Sequence, residues 1–344
     1  MKPISKYEKI RSLLTELKQP SYRYTQITDA IFKQNVGEFE RMTLLPKSLR
    51  EELVRTLGPQ TCSIEPVKEL VSNQVNKVLF ALGDNERVEA VRLQYERGWK
   101  SYCISTQCGC GFGCKFCATG TLGLKRNLTA DEITDQLLYF HLNGHSLDSV
   151  SFMGMGEALA NPNLFDALNI LTDPGLFGLG HRRLTISTIG LLPGIEKLTR
   201  EFPQINLTFS LHSPFDDQRS ELMPINKRFP IRDVMNALDA HIRQTGRKVY
   251  IAYILLQGVN DSLEHAGAIA DLLRGRGSGE HLYHLTVIPY NPTEVTPESY
   301  RTSESAHIGK FVRVLKSKDI HVTIRTQFGS DINAACGQLY RSDE

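Results

Sequence analysis

The sequence has few cysteines, no long apolar stretch and almost no net charge. Seven cysteines in 344 residues are too few for a disulfide scaffold, and five of them fall between Cys103 and Cys117, which favours a cofactor site in a reducing compartment. No stretch of about 18 apolar residues is present, so we expect no membrane span. Residues 1–6 lack the apolar core of a signal peptide. A net charge of +2 and 23% charged residues are typical of a globular protein, and we expect a cytoplasmic one.

Within the cysteine-rich stretch, Cys110, Cys114 and Cys117 stand at a C-x3-C-x2-C spacing. Three thiolates can hold three irons of a cubane cluster and leave the fourth iron open to a small molecule. The spacing therefore favours radical chemistry that starts with an electron from the cluster. A structural zinc site is the alternative, but the sequence has no second C-x2-C pair and no neighbouring histidine. Cys108 would have to be the fourth ligand, and its one-residue separation from Cys110 strains tetrahedral geometry.

The N-terminal part of the chain has the pattern of helices. Apolar residues recur at helical spacing in three stretches before residue 58, and the first 60 residues carry 11 Lys and Arg against 7 Asp and Glu. We predict a helical accessory domain over residues 1–75, whose basic excess fits RNA contact as well as it fits a solvated surface. Residues 78–82 and 88–93 look like short strands, so we predict a small β extension over residues 76–100.

From residue 101 onward, strand-like and helix-like segments alternate, which indicates parallel strands joined by right-handed crossovers. Thr129 and Glu132 have the spacing of a capping box at the start of one helix. We predict an α/β fold, a partial parallel (β/α)6 barrel over residues 101–344. A doubly wound open sheet is the alternative topology. The six strand candidates are residues 102–106, 149–153, 184–187, 206–211, 249–256 and 282–289.

Glycine and polar residues follow the predicted strands, where the functional sites of parallel α/β proteins lie. The cysteine loop follows the first strand, and Gly154-Met155-Gly156-Glu157 follows the second. Ser187 ends the third strand, Ser210 and His212 end the fourth, and Asn291 follows the sixth. We expect these segments to converge on one face, where glycines allow close approach of a ligand and a carboxylate can pair with an amino group.

Longer motifs in the chain resemble one family. Residues 103–127, which contain the three cysteines, are similar to the radical S-adenosylmethionine (SAM) RNA methyltransferases of the RlmN/Cfr family, which modify an adenosine of 23S ribosomal RNA. The resemblance covers essentially the whole chain, including the helical N-terminus, and implies a radical SAM barrel. The other matching segments are residues 151–161, 223–227, 258–261 and 331–339.

The family has two branches, which methylate carbon 2 or carbon 8 of adenine. Carbon-2 members usually read Gly-Glu-Pro, Ser-Thr-Ser-Gly and His-Ala-Pro where this chain reads Gly156-Glu157-Ala158, Ser187-Thr188-Ile189-Gly190 and His212-Ser213-Pro214. These departures, with Arg-Thr-Gln-Phe-Gly at residues 325–329, resemble the carbon-8 branch. That likeness implies methylation of carbon 8 at the peptidyl transferase centre and ribosomal antibiotic resistance. Carbon-2 methylation of 23S rRNA, and also of tRNA, is the alternative.

The resemblance also implies the cofactors and the residues that hold them. Cys110, Cys114 and Cys117 are the implied ligands of a 4Fe–4S cluster, and two SAM molecules are used in each turnover. Cys62 and Cys108 match no shared role. The implied SAM-binding positions are Gly156, Glu157, Ser187, Ser210, Leu211, His212 and Asn291.

Three catalytic residues follow from the resemblance. Cys336 is the implied site of S-methylation, and Cys103 is the implied second cysteine, which forms a disulfide with Cys336 as the product leaves. Glu89 is the implied proton acceptor. From the residues alone, a small buried apolar side chain is the preferred interpretation of each cysteine, and Glu89 is consistent with a solvated position on an edge strand.

The implied partners follow from this chemistry. The substrate is 23S rRNA, naked or in an assembly intermediate, with the target base unstacked from its neighbours. An external electron donor such as flavodoxin is required, no membrane is involved, and we expect a monomer. Two other functions remain open from the residues themselves: a radical SAM enzyme for a small molecule, and a zinc-binding RNA module without catalysis.

Overall fold

Three helices begin the chain. The computed structural model describes residues 3–326, 328–329, 332 and 338–339. The N-terminal helices are α1 (Lys6–Glu16), α2 (Tyr22–Phe32) and α3 (Lys47–Leu57), as the helical pattern predicted. A capping box of Ser5 and Glu8 begins α1. Their apolar faces form one buried cluster that also contains Leu138, so the three helices pack onto the main part of the protein through that side chain.

Three antiparallel strands follow the helices: β1 (Glu65–Ser72), β2 (Val75–Ala81) and β3 (Arg87–Gln94). The sequence predicted β2 and β3 but not β1, which lies inside the segment assigned to the helical region. Most side chains of β1 are exposed and several are charged, as is common for an edge strand. Its apolar pattern is therefore weak, and pairing with β2 decides its conformation.

The remaining strands belong mainly to one parallel sheet. Each of the six predicted strands is present, and the structure adds a seventh of three residues, too short to give a sequence pattern. Two other strands form a separate antiparallel hairpin that carries the cysteine loop. In chain order the strands are β4 (Lys100–Cys103), the hairpin strands β5 (Gln107–Cys110) and β6 (Gly123–Asn127), β7 (Ser149–Phe152), β8 (Leu184–Thr188), β9 (Asn206–Ser210), β10 (Val249–Leu255), β11 (Tyr283–Pro289) and the additional β12 (Val322–Ile324).

Eight further α-helices lie along the described chain after residue 117. The capping box predicted for Thr129 and Glu132 is present at the start of the helix that follows the hairpin. The helices are α4 (Ala118–Thr121), α5 (Ala130–Leu142), α6 (Leu164–Thr172), α7 (Leu192–Glu201), α8 (Asp216–Leu222), α9 (Ile231–Thr245), α10 (Leu263–Leu273) and α11 (Ser305–Ser317).

The strand order decides between the two predicted topologies. The sheet runs β1-β2-β3-β4-β7-β8-β9-β10-β11-β12, and every neighbouring pair from β4 onward is parallel. A doubly wound sheet reverses its order at a switch point, which this sheet does not do. The partial barrel is therefore confirmed and the doubly wound alternative is wrong. None of the helices in the described residues is long and apolar enough to cross a membrane.

Candidate functional site

One cavity of about 400 Å³ lies on the inner side of the parallel sheet. The cysteine loop and the glycine-rich loop after β7 both line it, together with the ends of β8 and β9. The predicted convergence of these segments on one face is therefore observed, and we call this space the barrel cavity. Its lining includes eight residues predicted to bind a metal or cofactor: Cys110, Cys114, Cys117, Gly156, Glu157, Ser187, Ser210 and His212.

The cysteine loop depends on two glycines. Gly109 has a φ of 74°, and a Cβ there would lie 1.9 Å from the carbonyl oxygen of Gly123, so only glycine fits in this hairpin. Beyond the loop, the Cys117 N–H donates to the Cys114 carbonyl at 3.2 Å. A Cβ on Gly120 would lie 2.9 Å from the same carbonyl oxygen. This tight packing brings the three thiols to one wall of the cavity.

The environment of the thiols favours their neutral form until a metal binds. Burial raises the pKa of Cys110 to about 12, and it also raises the pKa of Cys114 and of Cys117. A metal must therefore displace these protons. Cys108, the fourth ligand of the zinc alternative, is 1% exposed and packs in the main apolar core instead. Its predicted lack of a functional role agrees with that position.

Glu157 is held rigidly at the edge of the cavity. Its carboxylate accepts hydrogen bonds from the N–H of Ile189 at 3.0 Å and of Leu159 at 3.4 Å, and its own N–H donates to Gln107 Oε1 at 2.9 Å. Gly156 has a φ of 96°, and a Cβ there would lie 2.5 Å from the Gln107 side chain. Burial raises the pKa of Glu157 to about 7, so a bound ammonium group would restore its charge and be held by it.

His212 is a neutral side chain in this cavity. Burial lowers the pKa of His212 to about 3. Its Nδ1 accepts a hydrogen bond from the Ile254 N–H at 3.0 Å, so the ring proton lies on Nε2. The ring meets Phe116 edge to face, with centroids 4.9 Å apart. His212 can therefore donate one hydrogen bond to a ligand without bringing a charge.

Arg219 is a residue that the sequence analysis did not identify. Its guanidinium has no exposed surface and donates to four neutral acceptors. These are the carbonyls of Leu211 at 2.9 Å, Ile189 at 2.8 Å and Ser210 at 2.9 Å, and Asn226 Oδ1 at 2.8 Å. Arg219 thus ties together the segments that follow β8 and β9. Asn226 lies in the matching segment 223–227, which was the available sequence signal.

Four other predicted residues are described but do not line the cavity. Leu211 is fully buried and Asn291 is nearly so, after β11. Cys103 is half-buried at the end of β4. Glu89 is 1% exposed and forms an ion pair with Lys77 at 3.0 Å on the neighbouring strand. The alternative of a solvated edge position for Glu89 is therefore wrong, because β3 lies between β2 and β4.

Cys336 lies outside the described residues, but two residues that follow it are described. The Thr119 hydroxyl, in the short helix after Cys117, donates to the carbonyl of Leu339 at 2.6 Å. The side chain of Gln338 donates to the carbonyl of Pro292 at 3.1 Å. The described end of the chain therefore contacts the element that follows the cysteine loop.

The inner wall of the barrel cavity also contains polar residues that the sequence analysis missed. They alternate along the strands with buried apolar residues, so period-two polar positions within β8, β9 and β11 were the signal. Arg325, after β12, adds a positive charge and lies with Nη1 3.7 Å from Met153 Sδ. The additional inner-wall residues are Thr185, Thr208, Tyr250 and Thr286.

The cysteine loop and the parallel barrel together define a radical SAM enzyme. Residues 104–272 match the model of the radical SAM superfamily, and residues 5–57 match the ribosomal RNA large subunit methyltransferase N-terminal domain. The chain is also similar to a crystal structure of a radical SAM methyltransferase from Sphaerobacter thermophilus, with 38% identity and a TM-score of 0.90. That similarity covers 98% of this chain and 97% of the other.

Curated relatives show which family of radical SAM enzymes the chain belongs to. A relative from Lachnoclostridium phytofermentans named ribosomal RNA large subunit methyltransferase Cfr is 61% identical, over 97% of this chain and 97% of its own length. Relatives of the same name from Clostridium botulinum and Staphylococcus warneri are each 60% identical, over 99% and 98% of this chain and 98% and 96% of their own lengths. The chain belongs to the Cfr family of ribosomal RNA large subunit methyltransferases.

The cysteines fit the 4Fe–4S cluster of this superfamily. Among the described residues, no three Cys, His, Asp or Glu side chains lie close enough together to hold a single metal ion. Each thiolate of a cubane binds a different iron, so three thiols that line one cavity suit the cluster. The buried Glu157 carboxylate suits the amino group of SAM.

Proposed function

We propose that this protein methylates carbon 8 of an adenosine at the peptidyl transferase centre of 23S rRNA and thereby confers ribosomal antibiotic resistance. The observation that carries this proposal is the three-cysteine loop in a chain about 60% identical, over nearly its full length, to relatives named Cfr. The departures at Ala158, Ile189 and Ser213 support carbon 8. Carbon-2 methylation of 23S rRNA, possible for tRNA as well, is the second candidate, favoured by the RlmN-type N-terminal match.

Different residues around the barrel cavity would bind the cluster and SAM. Cys110, Cys114 and Cys117 would hold the cluster, and Glu157 would hold the amino group of SAM. When bound, the cluster supplies the electron that cleaves SAM, and SAM supplies the transferred methyl group. His212 adds a neutral hydrogen-bond donor beside them. The remaining proposed SAM-binding positions are Gly156, Ser187, Ser210, Leu211 and Asn291.

In this proposal Cys336 carries the methyl group to the base and Cys103 releases the product. Cys336 would become a methyl thioether, and once its methyl group loses one hydrogen atom to cleaved SAM, the remaining methylene would join the Cys336 sulfur to the base. The Cys103 thiolate would attack the Cys336 sulfur, so an S–S bond forms as the bond from that sulfur to the methylene carbon breaks, and this carbon takes up a proton to become the methyl group of the product. External thiols reduce the disulfide, and each turnover uses two SAM molecules. The Thr119 hydroxyl, close to the cysteine loop, contacts the carbonyl of Leu339, three residues after Cys336. This contact supports the proposal that Cys336 acts near the cluster.

Glu89 would remove the proton from the modified carbon. Its carboxylate lies 3.0 Å from the Lys77 ammonium on the neighbouring strand. The Ser105 hydroxyl donates to the Glu89 carbonyl at 2.6 Å and accepts from the Met155 N–H at 2.9 Å. These two bonds tie β3 to the glycine-rich loop that precedes Glu157.

The RNA substrate and the electron donor complete the proposal. We propose that residues 1–75 form an accessory domain that contacts the backbone of naked or partly assembled 23S rRNA, since mature ribosomes bury the target region. A flavodoxin-type protein would supply electrons to the monomeric enzyme in the cytoplasm. Residues 76–100 and 101–344 would be the β extension and the catalytic barrel.

Anaerobic turnover with transcribed 23S rRNA, followed by nucleoside mass spectrometry, tests the proposal. We expect 8-methyladenosine, identified against standards of both isomers. Exclusive 2-methyladenosine would overturn the carbon-8 assignment and leave the second candidate. A colourless protein without iron and sulfide after anaerobic reconstitution would contradict the cluster itself.

A further inference from the structure

Exposed aromatic side chains surround a second cavity at the amino-terminal edge of the parallel sheet. Trp99 directly precedes β4 and is 46% exposed, and its indole N–H donates to Ser149 Oγ at 3.1 Å. Tyr95, in the turn between β3 and β4, is 40% exposed and meets Phe328 edge to face at 5.6 Å. We call Tyr95, Trp99 and Phe328 the aromatic edge.

The charge around the aromatic edge is mostly positive. Arg183, just before β8, places its guanidinium carbon 6.0 Å from the centroid of the Trp99 ring. Arg97 also lines the cavity, with Glu96 as the acidic residue beside it. His181 and Arg182 precede Arg183 in the same short helical turn, so this turn is entirely basic or neutral. An anionic partner with flat rings would match this surface in both shape and charge.

The barrel cavity and the aromatic edge are lined by neighbouring parts of one segment of the chain. Arg325 lines the barrel cavity, whereas Thr326 and Phe328, a few residues later, line the cavity at the aromatic edge. The barrel cavity therefore extends from the cysteine loop toward the edge of the sheet where Trp99 lies. Three of its lining residues sit at or next to the first residues of β8, β9 and β10: Thr185, Asn206 and Tyr250.

We propose that the aromatic edge is the docking surface for unpaired RNA nucleotides that flank the target adenosine. This inference rests on the proposed function, because it supplies the route by which the base reaches the cysteines. Base faces stack on aromatic side chains without regard to sequence, and arginine pairs with the adjoining phosphates. The target base enters the barrel cavity past Arg325, while its neighbours stack on Trp99 and Tyr95.

A pair of substitutions at Trp99 tests the stacking. Trp99→Leu keeps an apolar side chain but removes the aromatic face, whereas Trp99→Phe keeps a smaller face. The probe is a transcript of the large-subunit rRNA segment that the wild-type enzyme methylates. We expect Trp99→Leu to weaken RNA binding and to raise KM about tenfold, with kcat changed less than about twofold, and Trp99→Phe to recover most of the loss.

A substitution at Arg183 tests the phosphate contact. Binding of the same transcript is measured at several salt concentrations. We expect Arg183→Gln to weaken binding and to reduce the slope of log affinity against log salt by about one, because one phosphate contact is lost. Arg232→Gln is the matched control, since Arg232 lies on α9 with a side chain 82% exposed. It should leave the slope unchanged.

Two measurements separate this inference from a structural effect. Ser149→Ala removes the hydrogen bond to the Trp99 indole but keeps the ring, so it should bind RNA nearly as well as wild type. Iron content and SAM cleavage without RNA should be the same in every variant. If Trp99→Leu loses them, its fold is damaged and Arg183→Gln decides instead, with an unchanged RNA affinity and salt slope overturning the inference.

Two further results would overturn the docking surface, and a third would refute the function on which it rests. Unchanged RNA affinity and KM in both Trp99→Leu and Arg183→Gln would exclude it while the proposed function survives. A concentration-dependent dimer that Trp99→Leu disrupts would assign the surface to a second copy of the chain. Failure of the wild-type enzyme to methylate any rRNA would instead refute the proposed function on which the inference rests.

Discussion

Arg219 holds a buried positive charge beside the cysteine loop without a carboxylate among its hydrogen-bond acceptors in the described residues. The Lys115 N–H in the cysteine loop donates to the carbonyl of Leu222, three residues after Arg219, at 3.0 Å. Burial lowers the pKa of Arg219 to about 10, yet it remains charged at neutral pH. Arg219 has two effects here. Its planar guanidinium orients the carbonyl groups of Leu211, Ile189 and Ser210. Its positive charge stabilises the nearby Cys114 thiolate.

Two substitutions at Arg219 separate these effects. Arg219→Lys keeps the positive charge but loses the planar guanidinium, so we expect weaker SAM binding with a nearly unchanged reduction potential of the cluster. Arg219→Gln loses both, so we expect weaker SAM binding and a lower potential, because a positive charge near a cluster favours its reduced form. Equilibrium SAM binding and a redox titration followed by electron paramagnetic resonance measure the two effects. Equal potentials in all three proteins would rule out the electrostatic effect.

Cys103 offers a second prediction for a single residue. Without its thiol, the bond between the Cys336 sulfur and the base cannot be resolved, so Cys103→Ala should accumulate a covalent RNA–protein adduct. Denaturing electrophoresis with labelled RNA detects the adduct, and Cys62→Ala is the control because Cys62 has no proposed role. Free methylated RNA formed at the wild-type rate by Cys103→Ala would contradict the role of this cysteine.

The packing of α7 against α9 depends on one buried histidine. The Thr199 hydroxyl donates to the carbonyl of Ile195 at 2.7 Å, so it accepts a hydrogen bond from His241 Nδ1 at 2.8 Å. His241 Nε2 then carries a lone pair that is buried and has no hydrogen-bond partner in the described part of the chain. Burial accordingly lowers the pKa of His241 from 6.5 to about 4.

This environment predicts loss of stability in acid. Between pH 6.5 and 4 the unfolded chain binds a proton at this position that the native state excludes, so stability present above pH 6.5 is lost as pH falls. The loss at His241 approaches about 3 kcal/mol near pH 4. We expect His241→Leu to flatten the dependence of the free energy of unfolding on pH, measured by denaturant titration. His281→Leu, at an exposed position, should keep the wild-type slope.

At the scale of the whole molecule, a buried ion pair joins the N-terminal helices to the barrel. Lys6, at the start of α1, pairs with Asp135 on α5 and also donates to the carbonyl of Thr61 at 2.8 Å. Asp135 accepts two further hydrogen bonds at 2.7 Å, from the N–H and the hydroxyl of Ser63. One carboxylate therefore links α1, the segment before β1 and the barrel.

Removing one partner of this ion pair should destabilise the packing of the N-terminal helices against the barrel. Lys6→Met leaves the Asp135 carboxylate buried without its cation, and we expect a loss of about 3–5 kcal/mol in stability, seen as a lower Tm. Replacing both residues, as Lys6→Met with Asp135→Leu, should recover part of that loss because no charge remains buried. Thermal unfolding compares the variants. A wild-type Tm in Lys6→Met would show that the pair does not stabilise this packing, and a double variant no more stable than the single one would contradict the cost of the lone carboxylate.

Local patterns in the sequence were sufficient for the elements and for most of the proposed cofactor site. The parallel strands, the Thr129 capping box and the cysteine spacing each depend on residues close in the chain. Their convergence also followed, because carboxyl ends of parallel strands share one edge. β1, β12 and the hairpin strands β5 and β6 were missed, since β1 is a mostly exposed edge strand, β12 is three residues long, and β5 and β6 pair across the cysteine loop.

The sequence alone determined the family, the cysteine loop and the alternation of strands and helices, because these are encoded by spacing along the chain. Tertiary structure alone decided the monotonic strand order, the ion pairs of Glu89 with Lys77 and of Lys6 with Asp135, and the burial of Arg219. Each depends on groups that are distant in sequence or on loss of contact with water. Only the folded chain brings such groups together and sets the electrostatic environment that gives them their properties.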